Sequence, residues 1–178
     1  MPPNLALNHI ALSVHDVEVV TAWYTSVLGF RLAKPIRHVK REETPDANLF
    51  RIYGARLHEA KVALLLAGNG VGFEIFEFVR PRFEPAHHQQ NHLHQGTGSD
   101  GDGDGYEFAY EKQGIFHVCV TDEDVEGRVE KIVQAGGKLQ GEIVTADPKR
   151  GIKAAYVRDP WGNMLEVLSV GFDVFTAE

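Results

Sequence analysis

One cysteine, two methionines and two tryptophans are all that the 178 residues hold of those types. A lone thiol, Cys119, cannot form an internal disulfide, which fits a reducing, cytoplasmic setting. Basic residues are in the minority: 18 Lys and Arg against 25 Asp and Glu leave a net charge of −7. That balance argues against nucleic acid as a partner, because a phosphate-binding surface needs a basic excess. No apolar run approaches the roughly 20 residues of a membrane span, so a membrane is not an expected partner either. The opening residues, MPPNLALNHI, lack the basic start and apolar stretch of a secretory signal. What the chain does have is apolar material for a core, 43% of its residues. Its length suits one ordinary domain or two small fused modules.

An internal repeat favours two modules. Sliding the chain by 108 residues lays His9 on His117, Asp16-Val17-Glu18 on Asp124-Val125-Glu126, and Gly29 on Gly137. Both HIALSV and FHVCVTD read as strands rich in apolar and β-branched residues. DVEVVTAWYTSVLGF reads as a helix opened by Asp and closed by Gly, and DEDVEGRVEKIVQAGG reads the same way with Gly127 inside it. At an offset of 92, GVGFEIF (70–76) lies on GNMLEVL (162–168), so Glu74 matches Glu166. The change of offset gives the first half 16 extra residues, expected within IRHVKREETPDANLFRIYG. KVALLLAG and GFEIFEFV complete the strands of the first half; GKLQGEIV, IKAAYVRDP and NMLEVLSV complete those of the second. The expected organisation is a module over 1–79, a polar linker rich in His, Gly and Asp over 80–112, and a second module over 113–178.

A histidine on the first strand and a glutamate on the last recur in both halves. Two imidazoles and two carboxylates suit a borderline divalent ion such as zinc, nickel, iron(II), cobalt or manganese. His9, Glu74, His117 and Glu166 are therefore the candidate ligands. Glu77 competes with Glu74, but residues three apart on a strand face opposite ways, and only Glu74 shares the sequence context of Glu166.

The segments NHIALSVHDVEVVTAWYTSVLGFRL, GVGFEIFEF, GIFHVCVTD and AAYVRDPWGNMLEVLS, spanning roughly 5–79 and 113–171, resemble the vicinal oxygen chelate superfamily. That group includes glyoxalase I, methylmalonyl-CoA epimerase, extradiol dioxygenases and bleomycin-resistance proteins. The resemblance implies an α+β fold of two paired βαβββ modules forming a curved mixed sheet around a metal. It implies one ligand from each of four strands, matched here by His9, Glu74, His117 and Glu166. The implied chemistry is that of a metal-dependent lyase or isomerase, glyoxalase-like or epimerase-like. Such an enzyme acts on a small oxygen-chelating substrate through a metal-stabilised enolate. By the same resemblance Glu166 is the base, with Glu74 the alternative, and the protein is a homodimer. An extradiol-type iron dioxygenase and a non-catalytic small-molecule-binding protein are the competing readings. Ser13 stands four residues after His9, where bacterial glyoxalase I-like chains often carry an Arg for the glutathione carboxylate. A substrate other than a glutathione adduct is expected.

Some signals point elsewhere. DGDGDGYEFAYE (100–111) has the spacing of a calcium loop but lacks flanking amphipathic helices, so a solvated acidic loop is expected. HHQQNHLH, with His87, His88, His92 and His94, reads as linker. Cys119, two residues after His117, shares its strand face. Trp161 is expected in a turn or the core, and Trp23 and Tyr24 in helix packing.

Overall fold

The structure, a computed structural model, describes residues 5–83, 110–111 and 113–177. The DGDGDG stretch, apart from Tyr110 and Glu111, and the four linker histidines lie outside the described residues. The chain divides into two compact units, Met1–Gln90 and Asn91–Glu178.

The first unit runs β1 (His9–Val14), α1 (Val17–Leu28), β2 (Arg31–Leu32), β3 (Arg37–Lys40), α2 (Asn48–Tyr53), β4 (Glu59–Leu66) and β5 (Gly72–Arg80). The second runs β6 (Val118–Thr121), α3 (Val125–Gln134), β7 (Lys138–Asp147), β8 (Ile152–Arg158), β9 (Met164–Leu168) and α4 (Phe172–Phe175). Each unit holds one mixed sheet. In the first the order is β1-β5-β4-β2, with β3 also on β4; in the second it is β6-β9-β8-β7. The first and last main strands of each unit lie side by side and parallel, and the remaining pairs are antiparallel. This is the α+β architecture of two βαβββ modules that the family resemblance implies.

The capping chemistry explains where the helices begin and end. Asp16 accepts the Val19 N–H at 3.0 Å to open α1, and Gly29, at φ 74°, closes it in the left-handed region that favours glycine. Helix α1 buries Val17, Val20, Trp23, Tyr24 and Val27, one apolar stripe at helical spacing. Tyr24 is fully buried, its ring 4.9 Å from that of Phe73 on β5. Trp23 and Tyr24 are thus packing residues, as expected. Helix α3 repeats the scheme, with Asp124 accepting the Gly127 N–H at 3.0 Å and Val125, Val129 and Ile132 buried.

The extra residues of the first half fold as β3 and α2. Phe50, only 2% exposed, forms a small cluster with Val39, Leu57 and Ala60. Arg41 covers it, its guanidinium 4.5 Å from the Phe50 ring centroid while its Nε donates to the Leu57 carbonyl at 2.8 Å. Arg80 fastens the same region by pairing with Glu42 and Glu59.

Just ahead of α3, Asp122 accepts from Arg128 Nε at 2.6 Å and from the Asp124 N–H at 3.0 Å. Burial disfavours its charge, but those two donors outweigh burial and hold the carboxyl below its usual range. The folded value lies below the unfolded one, so this stabilisation is full above about pH 4 and is lost as pH falls through the lowered value. Asp122→Asn is expected to lower stability by about 1 kcal/mol at pH 7, measured by urea denaturation. The gap from the parent should close towards about pH 2.

Candidate metal centre

In the first unit β1 and β5 pair in parallel, with His9 opposite Gly72 and Ala11 opposite Glu74. A Cβ on Gly72 would stand 2.9 Å from the His9 Cβ, so the close approach of the two strands at this point requires glycine. His9 Nε2 lies 3.7 Å from Glu74 Oε2. The other ring nitrogen, Nδ1, lies 2.8 Å from Asn8 Oδ1, an atom that can only accept. Nδ1 therefore carries a proton and donates it, which orients the ring. In the neutral ring Nε2 then points a lone pair towards a carboxylate. A cation between the two acceptors, either a proton or a metal ion, would bind both.

The second unit repeats the register: Cys119 lies opposite Glu166, as Ala11 does opposite Glu74. His117, the residue before β6, places Nε2 3.2 Å from Glu166 Oε2. Its ring is held edge-on by Phe116 and Tyr156, at centroid distances of 4.5 and 5.3 Å. Its Nδ1 is buried without a hydrogen-bond partner among the described residues, which leaves Nε2 as the nitrogen available to a ligand. Glu166 is aimed by the turn before β9. There the Asp159 carboxylate accepts the backbone N–H groups of Trp161 and Asn163 at 3.0 and 2.8 Å, and Trp161 takes the turn position expected of it.

The negative charge at Glu166 is felt by its neighbours. Cys119 is exposed as a residue, yet its thiol is pushed up to about 12, chiefly through burial and then through the Glu166 carboxylate. Tyr156, opposite Glu166 on β8, is raised as well, by burial first and the same charge second. Burial leads both shifts, and the Glu166 share of them is a negative charge that a bound cation would offset. Donor spacing agrees. Two ligands bound at about 2.1 Å and separated by roughly 90–109° lie roughly 3.0–3.4 Å apart. The 3.2 Å pair fits as it stands, and the 3.7 Å pair needs a shift of a few tenths of an ångström.

Glu77 is on the opposite face of β5, where strand alternation puts it. It accepts the Val17 N–H at 3.1 Å at the start of α1 and pairs with Lys61 at 3.3 Å. Asp16, Glu18 and Glu77 have oxygens within 4.8 Å of one another, but Lys61 already supplies the positive charge there.

Two features of the site were not singled out from the sequence. Asn8 fixes the His9 ring, and nothing local marks it. Tyr156 was detectable: at the offset of 92 it matches Leu64, which lies opposite Glu74, so one unit offers a phenol where the other offers an aliphatic group.

Comparison with known proteins agrees with this architecture. A curated relative, 2-epi-5-epi-valiolone epimerase from an Actinomyces species, is 24% identical over 173 residues, covering 96% of this chain and 82% of the relative. The crystal structure of a glyoxalase family protein from Bacillus cereus matches with a TM-score of 0.67 at 17% identity, over 95% of this chain and 97% of that one. A genomically encoded fosfomycin resistance protein from Listeria monocytogenes, solved with manganese(II) and sulfate, matches with a TM-score of 0.52 at 14% identity, over 97% of both chains. At such identities the structural likeness is one of fold. Residues 6–167 match the sequence family itself, and the match runs through both units, so the chain belongs to the Glyoxalase/Bleomycin resistance protein/Dioxygenase superfamily.

Proposed function

We propose that the protein is a metal-dependent isomerase or lyase that moves a proton alpha to a carbonyl on a small oxygen-rich substrate. The supporting observation is the His–Glu pair repeated in one register, with Asn8 presenting the free nitrogen of His9 to Glu74. His9, Glu74, His117 and Glu166 would hold one divalent ion between them, the two pairs coming from one chain or from two copies. An ion there supplies electrophilic stabilisation of negative charge developing on a substrate oxygen.

The rest falls to the chain. Glu166 takes the alpha proton on a carboxylate oxygen, beside the Tyr156 ring and the uncharged Cys119 thiol, which add no competing base. Glu74, in the matching place, is the second carboxylate available to return a proton, as inversion at carbon requires two groups. The epimerase relative supports isomerase chemistry, in a family that also includes dioxygenases.

The deciding experiment joins metal analysis of the purified protein to an assay of proton exchange in deuterated water. The relative's named substrate, 2-epi-5-epi-valiolone, is the first ketone to try. Zinc, nickel, manganese or cobalt near one equivalent, with alpha-proton exchange and no oxygen uptake, is the expected result. Iron with oxygen consumption would establish a dioxygenase instead. No metal, with binding but no exchange, would establish a carrier.

A further inference from the structure

The first unit contains a cavity of about 350 Å³ whose walls include Ser13, Tyr53, Arg56, Phe78, Arg82 and Phe83. Three observations define what it accepts.

Position comes first. Ser13 lies opposite Phe76 in the parallel β1–β5 register, two residues beyond the Ala11–Glu74 pair and on the same face. Phe76 and Phe78 stack at 5.7 Å with an interplanar angle of 11°, so that face continues along β5. Residues two apart on a strand are separated by roughly 7 Å, which puts the cavity roughly 7–13 Å from Glu74. A single small molecule can reach both places.

Construction is the second. Tyr53 belongs to α2, which is held against the sheet by the Phe50 cluster, and Arg56 follows in the loop between α2 and β4. The far wall comes from residues 81–83, folded back by the Phe83 N–H donating to the Phe78 carbonyl at 2.7 Å. The second unit has no counterpart of this segment between α3 and β8 other than the strand β7.

Charge is the third. The chain carries a net −7, yet among the described residues two guanidiniums and no carboxylate line this cavity. Arg41, Arg80, Arg128 and Arg150 are each held by carboxylates or carbonyls; Arg56 and Arg82, like Arg31, Arg37 and Arg51, enter no ion pair among the described residues, and of these five only Arg56 and Arg82 line the cavity. Beside them Tyr53 and Phe78 stand edge to face at 5.7 Å, an apolar wall for a ring or short carbon skeleton. Arginine presents paired N–H donors that match the geometry of carboxylate and phosphate oxygens.

We propose that this cavity binds the anionic end of the substrate, a phosphate or carboxylate on a small apolar body, while the carbonyl end reaches Glu74. The inference rests on the reading of His9 and Glu74 as the chemical end of the site. It gives the added segment, which supplies the Tyr53 wall beside Arg56 and Arg82, a part in substrate selection in a chain whose Ser13 carries no charge.

The test uses the full chain stripped of metal with a chelator, so that no ion competes for the probes. Phenyl phosphate, benzoate and neutral benzyl alcohol are titrated by calorimetry. The expected result is binding of at least one anion but not of the alcohol, weakened tenfold or more in the Arg56→Gln/Arg82→Gln variant. Arg56→Lys should retain part of the affinity. Preference for phenyl phosphate identifies a phosphorylated substrate, and preference for benzoate identifies a carboxylate. Both arginines are exposed, and an unchanged thermal melt of the double variant confirms that its fold is intact. Equal binding by parent and double variant, or no anion binding by the parent, overturns the proposal. Anion binding that needs added metal, is lost in His9→Ala and ignores both arginines overturns the cavity while leaving the metal reading intact. Arginine-dependent binding in a protein that takes up no metal supports the cavity and removes the metal reading instead.

Discussion

Glu166→Gln is expected to keep its metal and lose turnover by a factor on the order of 10²–10⁴, the usual contribution of a positioned general base. The amide retains an oxygen that can coordinate in place of the carboxylate oxygen now 3.2 Å from His117 Nε2. It has no useful basicity, so the alpha proton has nowhere to go. The measurement is alpha-proton exchange in deuterated water across a panel of α-hydroxyketones, with metal content determined on the same sample. Exchange and net turnover should fall together. A glutamine variant that holds its ion and exchanges at the parent rate would reduce Glu166 to a ligand and move the base to Glu74.

His9→Ala and His117→Ala are each expected to abolish tight metal binding. Each removes one of the two nitrogen donors, and alanine offers no replacement. Metal content after dialysis against a weak chelator should drop from about one equivalent to a small fraction in both variants. Glu74→Gln should weaken binding more than Glu77→Gln, because Glu77 is committed to the Val17 N–H and Lys61 on the other face of β5. Glu77→Gln should instead cost stability, by about 1 kcal/mol, through the lost charge-assisted bonds to α1 and Lys61. Parent-level metal in both histidine variants would remove these residues from the site altogether.

The legible part of the molecule was written in local chemistry and in repetition. Asp16 and Gly29 announce the two ends of α1 because capping is settled within one turn of chain. Strand alternation was enough to send Glu74 and Glu77 to opposite faces. His117 and Glu166 could be chosen because a second copy of each stood at a fixed offset; a lone histidine beside a strand carries no such signal. The segment after β2 was recognised only as additional length. Residues 35–54 hold two prolines and a run of charges, and α2 is just six residues long, too short to show a period. What makes α2 a helix is Phe50 finding Val39 on β3, Leu57 in the following loop and Ala60 on β4, contacts that lie outside the helix itself. Asn8 was invisible for a similar reason: its value lies in one hydrogen bond to a neighbouring ring, and Asn is common wherever a strand begins. The pairing of β1 with β5 places a glycine opposite His9, and that close approach is a property of two segments some sixty residues apart.

β3 and α2 lie outside the strands that hold His9 and Glu74 and meet them, through the Phe50 cluster, at Phe78 alone, so that stretch can change with little disturbance to those strands. Random libraries confined to 42–56 should therefore yield folded, metal-retaining proteins far more often than libraries of equal size spread over β1 and β5. Directed evolution of new substrate preferences has a natural starting place in that stretch, sparing Phe50.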